Sequence, residues 1–313
     1  MLSNFFQIFL LVSPVFLLII LGNFLRRIKV PDVSFWEVND KLCYWVLVPA
    51  LLFHYISQVN LSSEMLLSYA VVIWLGIIIL IAIVTIVSRI LGQPPETWTS
   101  VLQGSVRLNA FIGLAIAGSI FGDEGLTIAS LFMLVYVPFI NLVVIIIMVT
   151  NHDQIGKENK NKSIKNIFLE VIKNPFIIAL ILGLVFSNFD TIKLSVISET
   201  TGLIGSAALP IMLLTIGAKI QVRDLVLTIK PIAISNFLKL ALFPIIAFFV
   251  SQFMGLSQTE IIISVIFTAV PTAVVSQTVA KQFQADDQLM TGILTTQVIL
   301  SFLTIPIILA IIS

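Results

Sequence analysis

The sequence predicts an all-α membrane protein of ten transmembrane helices, arranged as two inverted repeats of five. Three observations support this prediction. Of the 313 residues, 58% are hydrophobic and 11% are charged, whereas a soluble domain carries about 25% charged residues. Long charge-free runs recur along the chain, and about 20 apolar residues suffice to cross the hydrocarbon core. Finally, a spaced set of prolines and glycines in the first half recurs in the second half.

The charge-free runs divide the chain into ten candidate spans. The sixth is the least regular, because 16 residues separate Lys173 from Asp190, and it needs the turn around Phe168 to reach full length. Residues 1–25 lack a basic start and a small-residue cleavage site, so we expect a first span there and no signal peptide. The predicted spans are 5–25, 41–57, 66–90, 98–121, 125–149, 167–187, 197–218, 231–253, 259–280 and 290–312.

The internal repeat rests on residues that share one offset. Pro14, Gly22 and Pro49 each have a counterpart 161 positions later. These counterparts are Pro175, Gly183 and Pro210. Because each half has five spans, an odd number, the second half must enter the membrane in the opposite direction. We therefore predict a first repeat at 1–150, a cytoplasmic linker at 151–166 and an inverted second repeat at 167–313, an organisation typical of secondary transporters.

Lys and Arg residues predict the orientation. Loops on one face carry eleven of them, and the opposite face has Lys193. The positive-inside rule then places both termini outside the cytoplasm. The eleven are Arg26, Arg27, Lys29, Arg89, Lys157, Lys160, Lys162, Lys165, Lys219, Arg223 and Lys281.

Several function classes are not supported by the sequence. It contains no HExxH motif, no Gly-rich phosphate loop and no pair of carboxylates within a span. The lone cysteine, Cys43, allows neither an intrachain disulfide nor a cysteine metal cluster. The net charge of +1 gives no indication of nucleic-acid binding. We therefore expect no enzymatic activity, no cofactor and no metal site.

In inverted-repeat transporters, binding sites form where helices are interrupted near the midplane. The fourth and ninth spans are the equivalent pair that is both interrupted and polar. Each contains a Ser-Val pair, followed seven or eight positions later by Gly113 or Pro271. Proline removes a backbone N–H and clashes with the preceding turn, so it permits a break or a simple packing kink.

Polar residues within the spans are candidates for substrate contact. Asn109 either binds substrate or bonds one helix to another, and Asn141 and Asn236 allow the same two interpretations. Arg107 and Lys239 each cost ~2.5–3.5 kcal/mol at a helix centre on insertion scales, so they should face protein or water. Either charge could bind an anionic substrate. Otherwise Lys239 would brace the broken helices, and Arg107 would extend to the cytoplasmic face.

The sequence leaves ion coupling open. No acidic residue lies mid-span, and a proton-relay role for His54, near the outer end of the second span, is a weak alternative. Sodium could be held by carbonyls and hydroxyls of the ninth span. The residues considered for that role are Thr268, Thr272, Ser276 and Gln277.

Six motifs in order resemble the auxin efflux carrier family in its compact bacterial form, from about residue 5 to 312. They are LLVSPVFLLIILGNFLRR, LVPALLF, RLNAFIG, SAALPIMLLTIGAKI, LKLALFP and TAVPTAVVSQTVAKQF. The resemblance implies a protein of the bacterial cytoplasmic (inner) membrane. It implies the fold of bile-acid symporters and sodium/proton antiporters, with broken helices 4 and 9 crossing. Spans 1, 2, 6 and 7 would form a scaffold that commonly dimerises, and spans 3–5 and 8–10 a transport domain.

The resemblance also implies a carboxylate substrate, such as malate, malonate or an auxin-like acid. The matching crossover residues run from Asn109 through Gly113 to Ala115, and from Ala269 through Pro271 to Thr272. Ala115 stands where many relatives carry proline, so the break there would be milder. We therefore predict an elevator-type carrier of a small organic anion. A channel-like uniporter or a substrate sensor without ion coupling is the alternative.

Overall fold

The computed structural model describes residues 2–59, 63–151, 173–187, 191–220 and 229–312. All regular elements in these ranges are helical. The first half contains α1 (Leu2–Arg27), α2 (Val33–Leu42), α3 (Val48–Ser57), α4 (Ser63–Ile90), α5 (Pro95–Val106) and α6 (Ala110–Asn151). The second half contains α7 (Pro175–Phe186), α8 (Thr191–Ser206), α9 (Ala208–Lys219), α10 (Ile229–Phe237), α11 (Phe243–Phe253), α12 (Gln258–Ala269), α13 (Val275–Gln282) and α14 (Asp287–Ile312). Two π-helical turns, Cys43–Leu47 and Leu238–Leu242, join α2 to α3 and α10 to α11.

Helix length and composition confirm the prediction of an all-helical membrane protein. In the described part of the chain, six helical segments are long and apolar enough to cross a bilayer, and two shorter helices, α7 and α12, are also apolar. Residues 167–172 of the predicted sixth span, and the predicted linker beyond residue 151, lie outside the described residues. The six segments are Asn4–Arg27, Leu66–Ile90, Pro95–Met148, Val196–Lys219, Ile229–Phe253 and Asp287–Ile312.

A glycine bend divides α6 into two parts. Gly122 has φ 59° and ψ −138°, a left-handed conformation that glycine adopts at little cost. The predicted fourth and fifth spans meet at this bend. The end of the fourth span and the start of the fifth therefore lie close together, with Asp123 exposed between them.

Two pairs of helices pack closely through glycines. A Cβ at Gly22 of α1 would overlap the carbonyl oxygen of Leu214 in α9. A Cβ at Gly183 of α7 would lie 3.3 Å from the carbonyl oxygen of Phe53 in α3. Leu214 follows Phe53 by 161 positions, as Gly183 follows Gly22. Corresponding glycines thus face corresponding backbone positions in the two halves, more closely at Gly22 than at Gly183, whose Cβ would meet the Ile56 side chain first, at 3.0 Å.

The fourth and ninth spans are both interrupted. After α5 the chain is extended at Arg107 (φ −74°, ψ 149°), and α6 begins at Ala110. After α12 it is extended at Val270 (φ −67°, ψ 152°), and α13 begins at Val275. The two breaks meet directly, because the Asn109 N–H donates to the Pro271 carbonyl over 2.8 Å.

The break in the fourth span lies earlier than the sequence predicted. Gly113 and Ala115 belong to the regular helix α6, so the expectation that Gly113 carries the break is wrong. Gly113 instead makes room for an aromatic ring, because a Cβ there would lie 3.2 Å from the ring of Phe267 in α12. The break forms at Arg107–Asn109, where tertiary hydrogen bonds replace those of the helix.

Candidate functional site

A cavity of about 640 Å³ lies beside the two breaks. One wall comes from α2, α7 and α9, and the other from the α5–α6 break, α6 and α13. Three charged side chains line it, Asp40, Arg107 and Lys219, together with the amides of Asn109 and Asn141. Much of the remaining wall is apolar. It includes Phe111, Met133, Val137, Ile140, Phe176 and Ile216. The cavity is therefore an apolar chamber with a few placed polar groups, as is usual for small-molecule sites.

Arg107 lies in the break itself and has no counter-ion among the described residues. It is 3% exposed, and its Nε has no hydrogen-bond partner in the described part of the chain. The ion pairs found there join other residues. Arg107 is therefore enclosed by protein, and its extension towards the cytoplasmic face stays a prediction. A buried guanidinium is costly unless it is paired, so this group is available to an anion in the cavity.

Asn109 offers a donor next to Arg107. Its backbone N–H binds the Pro271 carbonyl, and its Oδ1 accepts from the Ile112 N–H at 3.4 Å. No acceptor for its Nδ2 is found among the described residues, and the side chain lines the cavity. Asn109 thus caps the start of α6 with one end of its amide and leaves N–H groups for a ligand. Asn141 of α6 lines the same cavity, half-buried.

Two helices begin at the cavity wall. Ala110 and Phe111, the first residues of α6, line it, as do Val274 and Val275 at the start of α13. The first N–H groups of a helix have no partner within that helix, and the helix dipole makes this end partly positive. At α13 the Ser276 and Gln277 N–H groups bond the Ala273 and Val274 carbonyls, so this end acts mainly through its dipole. The two helix N-termini and the guanidinium without a counter-ion therefore favour negative charge in the cavity.

Gln297 of α14 holds the two breaks together. Its Oε1 accepts from the Thr272 N–H at 2.8 Å, and its Nε2 donates to the Gly104 carbonyl at 2.9 Å and lies 3.4 Å from the Ser235 Oγ. The Gln297 side chain is fully buried. One amide thereby satisfies a backbone group from each interrupted span. The Thr272 hydroxyl adds a 3.3 Å bond to the Gln103 carbonyl.

Tyr136 of α6 fixes the middle of the first break. The Leu108 N–H donates to its hydroxyl oxygen at 2.9 Å. Tyr136 is buried and lines the cavity close to Arg107. Together with the Asn109–Pro271 bond, this contact holds the chain extended where Arg107 enters the cavity.

The predicted binding residues separate into two groups. Arg107, Asn109 and Asn141 line the cavity. The others do not line it, and a direct role for them in substrate binding remains a prediction. This second group comprises Gly113, Ala115, Ala269, Pro271, Thr272 and Lys239. Lys239 is fully buried. Its Nζ lacks a hydrogen-bond partner in the described residues and lies 4.8 Å from the centre of the Phe243 ring.

The residues considered for ion coupling are engaged in hydrogen bonds within the protein. The Thr268 hydroxyl donates to the Ser264 carbonyl at 2.9 Å, and Gln277 Nε2 donates to the Thr291 hydroxyl at 2.6 Å. Thr272 and Ser276 share a hydroxyl contact of 3.2 Å. The proton-relay candidate His54 has its Nδ1 2.7 Å from the Ser198 carbonyl. Asn236, a candidate for substrate contact or helix packing, donates from Nδ2 to the Thr296 hydroxyl at 3.0 Å. The contacts of Gln277, His54 and Asn236 each join two helices, whereas Thr268 and Thr272 bond residues four positions away in the chain.

Sequence reasoning missed three features of the site: the Gln297 bridge, the Tyr136 contact, and an ion pair of 2.8 Å between Asp40 and Lys219 at the cavity wall. Gln297 is a polar residue within a predicted span, which marks it as a candidate by the argument used for Asn109. The other two depend on pairings between distant segments, and no local pattern indicates them.

Comparison with known proteins identifies the family. The model of a family described as membrane transport protein matches residues 7–309. The chain belongs to this family. It is the auxin efflux carrier family that the six motifs resemble. An "uncharacterized transporter" of Methanothermobacter thermautotrophicus is 21% identical over 309 residues, which cover 94% of this chain and 95% of that protein. Membership in a transporter family agrees with the expectation that the chain is not an enzyme.

Proposed function

We propose that the protein is a secondary-active carrier of a small organic anion, which binds in the cavity at the two breaks. The observation that supports this most strongly is Arg107. It is a buried guanidinium that lines the cavity and has no counter-ion among the described residues. A carboxylate matches the guanidinium fork, with two parallel hydrogen bonds.

The surrounding groups suit a carboxylate. The Asn109 Nδ2 donor lies in the residue that caps α6, and the N-termini of α6 and α13 both reach the cavity. Asn141 supplies a further amide at the wall. The apolar residues around these groups would hold the body of the anion. We assign Arg107 and Asn109 the main role in binding the carboxylate. Lys239, whose Nζ lies 4.8 Å from the centre of the Phe243 ring, has a supporting role outside the cavity lining.

We propose that transport follows an elevator mechanism between two groups of helices. The scaffold would comprise α1–α3 and α7–α9, and the transport domain α4–α6 and α10–α14. The hydrogen bonds around the two breaks stay within the transport group, whereas the Tyr55 hydroxyl donates to Asp123 at 3.0 Å from one group to the other. Aromatic contacts join the groups, with Phe16 and Phe302 at 5.2 Å and Phe111 and Phe176 at 5.9 Å. Apolar contacts of this kind can slide without leaving polar groups unbonded, and Asp123 is exposed, so water can replace its bond to Tyr55.

The inverted five-plus-five repeat belongs to the same proposal. Its support is the offset of 161 shared by the prolines and glycines, and the matching approaches of Gly22 to Leu214 and Gly183 to Phe53. Lys219, the last residue of α9, lies at the helix end that the positive-inside rule assigns to the cytoplasm, and it lines the cavity. This favours an inward-facing state in a cytoplasmic membrane, with both termini outside the cytoplasm. We also propose a homodimer through the scaffold, testable by cross-linking.

Counterflow in proteoliposomes tests the proposed function. Vesicles containing purified protein are loaded with unlabelled malonate, malate or phenylacetate, and entry of the labelled acid is followed. A carrier shows faster entry when the same acid is inside, whereas a channel-like uniporter or a sensor does not. We expect this stimulation in the wild type, and a loss of at least tenfold in Arg107→Gln, because hydrogen bonds to a charged group contribute about 1.5–3 kcal/mol. Entry unaffected by Arg107→Gln and Asn109→Ala would refute the site.

Repeating the assay with and without sodium, and with an imposed pH gradient, tests coupling. The hydrogen bonds of Thr268 and Gln277 favour transport that does not need sodium bound at these residues. Stimulation by sodium that is lost in Thr268→Val would contradict this expectation.

A further inference from the structure

We propose that Asp40 sets the charge specificity of the cavity by holding Lys219, so that the site accepts one carboxylate and discriminates against two. Asp40, Arg107 and Lys219 are the charged residues among those that line the cavity in the described structure. Lys219 Nζ lies 2.8 Å from an Asp40 carboxylate oxygen, whereas Arg107 has no such partner among the described residues. The inference rests on the proposed function, because it concerns an anion bound in this cavity.

The Asp40–Lys219 pair is built into the scaffold. Asp40 lies near the end of α2, and Lys219 is the last residue of α9. The neighbouring residue Asn39 donates from Nδ2 to the Thr215 hydroxyl, one turn before Lys219, at 2.6 Å. Asn39 and Thr215 are both buried. This bond fixes α2 against α9 and holds Asp40 opposite Lys219. A cation at the C-terminus of α9 is also favoured by the helix dipole.

The charge balance leads to a preference among anions. The pair contributes no net charge, so the cavity presents the single positive charge of Arg107. A monocarboxylate neutralises this charge and can place its remaining atoms against the apolar wall of Phe111, Met133 and Ile216. A dicarboxylate brings a second negative charge into a cavity whose second cation, Lys219, is already paired with Asp40. It must displace Asp40 from Lys219 or leave a carboxylate unpaired, and either costs free energy.

The size of the effect follows from exposure. The side chains of Lys219 and Asp40 are 34% and 39% exposed, so water screens their interaction. Pairs of this kind contribute at most about 1 kcal/mol, which corresponds to about a fivefold change in affinity. Screening also makes the preference dependent on salt, since the Debye length falls from about 10 Å at 0.1 M to about 3 Å at 1 M ionic strength.

Binding of labelled malonate and labelled phenylacetate to the purified full-length protein tests the inference. We expect the wild type to bind phenylacetate more tightly. Asp40→Asn frees Lys219 and should raise the affinity for malonate relative to phenylacetate about fivefold at low salt. Lys219→Gln leaves Asp40 without its partner and should change the ratio in the opposite direction. The two variants remove the same ion pair, so a shared loss of stability cannot produce opposite shifts.

The second ion pair of the described chain provides a matched control. Lys281 and Asp287 lie 3.8 Å apart and do not line the cavity, so Asp287→Asn should leave the ratio unchanged. If Asp40→Asn alters the affinity for both acids equally, or alters neither, the inference is overturned while the proposed function stands. If neither acid binds to the wild type or to any variant, the proposed function fails, and the inference fails with it.

Discussion

Replacing Gln297 by leucine should lower the free energy of unfolding more than the same substitution at a half-buried glutamine does. Leucine has a similar volume but cannot bond the Thr272 N–H or the Gly104 carbonyl. Both groups would stay buried without partners, because the site is fully enclosed. An unsatisfied buried group costs about 1–3 kcal/mol, so the two together cost about 2–6 kcal/mol. This is a large part of the about 5–15 kcal/mol by which proteins are stable.

Thermal unfolding in detergent, followed through the fluorescence of the 4 tryptophans, measures this effect. Gln277→Leu is the matched control, since Gln277 makes one bond, to Thr291 at 2.6 Å, and is half-buried. Its loss should cost about 1 kcal/mol. The melting temperature of Gln297→Leu should therefore fall well below that of Gln277→Leu. Equal melting temperatures for the two variants would refute the bridging role of Gln297.

Three further changes test the packing and the proposed motion. Gly22→Ala should lower the melting temperature because the new Cβ would overlap a backbone carbonyl. Gly76→Ala should be tolerated, because its Cβ would lie 3.4 Å from a ring atom, an ordinary contact distance. Equal melting temperatures for the two variants would contradict the close packing at Gly22. Tyr55→Phe removes a 3.0 Å bond that joins the two helix groups. The rate at which a cysteine introduced into the cavity is labelled should therefore change about fivefold, as expected for about 1 kcal/mol. An unchanged rate would argue against a moving interface there. Lys239→Met removes a buried amine without an acceptor and should preserve or raise the melting temperature; a lower one would show that the amine stabilises the fold.

The six long apolar helical segments and the second break could be predicted from sequence because their causes are local. A charge-free apolar run long enough to cross a bilayer indicates a membrane span. A proline in the interior of a helix kinks or interrupts that helix. Pro271 accordingly lies in the extended segment between α12 and α13. The offset of 161 could also be read directly, and corresponding glycines make corresponding contacts.

The first break was misplaced because its cause is tertiary. Glycine at 113 weakens a helix locally, yet the helix continues through it and uses the space for Phe267. The extended segment forms instead where Leu108 and Asn109 bond Tyr136 and Pro271. These partners are distant in sequence, so helix propensity alone does not locate the break.

Intramembrane charges pose the same difficulty. Arg107 and Lys239 carry similar insertion costs, and sequence reasoning treated both as candidates for the substrate. The fold places Arg107 at the cavity wall and Lys239 beneath Phe243. The Asp40–Lys219 pair joins residues almost 180 positions apart. Both lie at the edges of their predicted spans, where a charged residue does not by itself indicate a binding site.

Direct binding of a carboxylate to Arg107 tests the central claim. The measurement is the dissociation constant of phenylacetate for the purified wild type, Arg107→Lys and Arg107→Gln at one ionic strength. The loss should be tenfold or more for Arg107→Gln, and intermediate for Arg107→Lys, which keeps the charge but not the planar fork. Equal dissociation constants for the three proteins, each shown to be folded by its melting curve, would contradict the assignment of the breaks as the anion site.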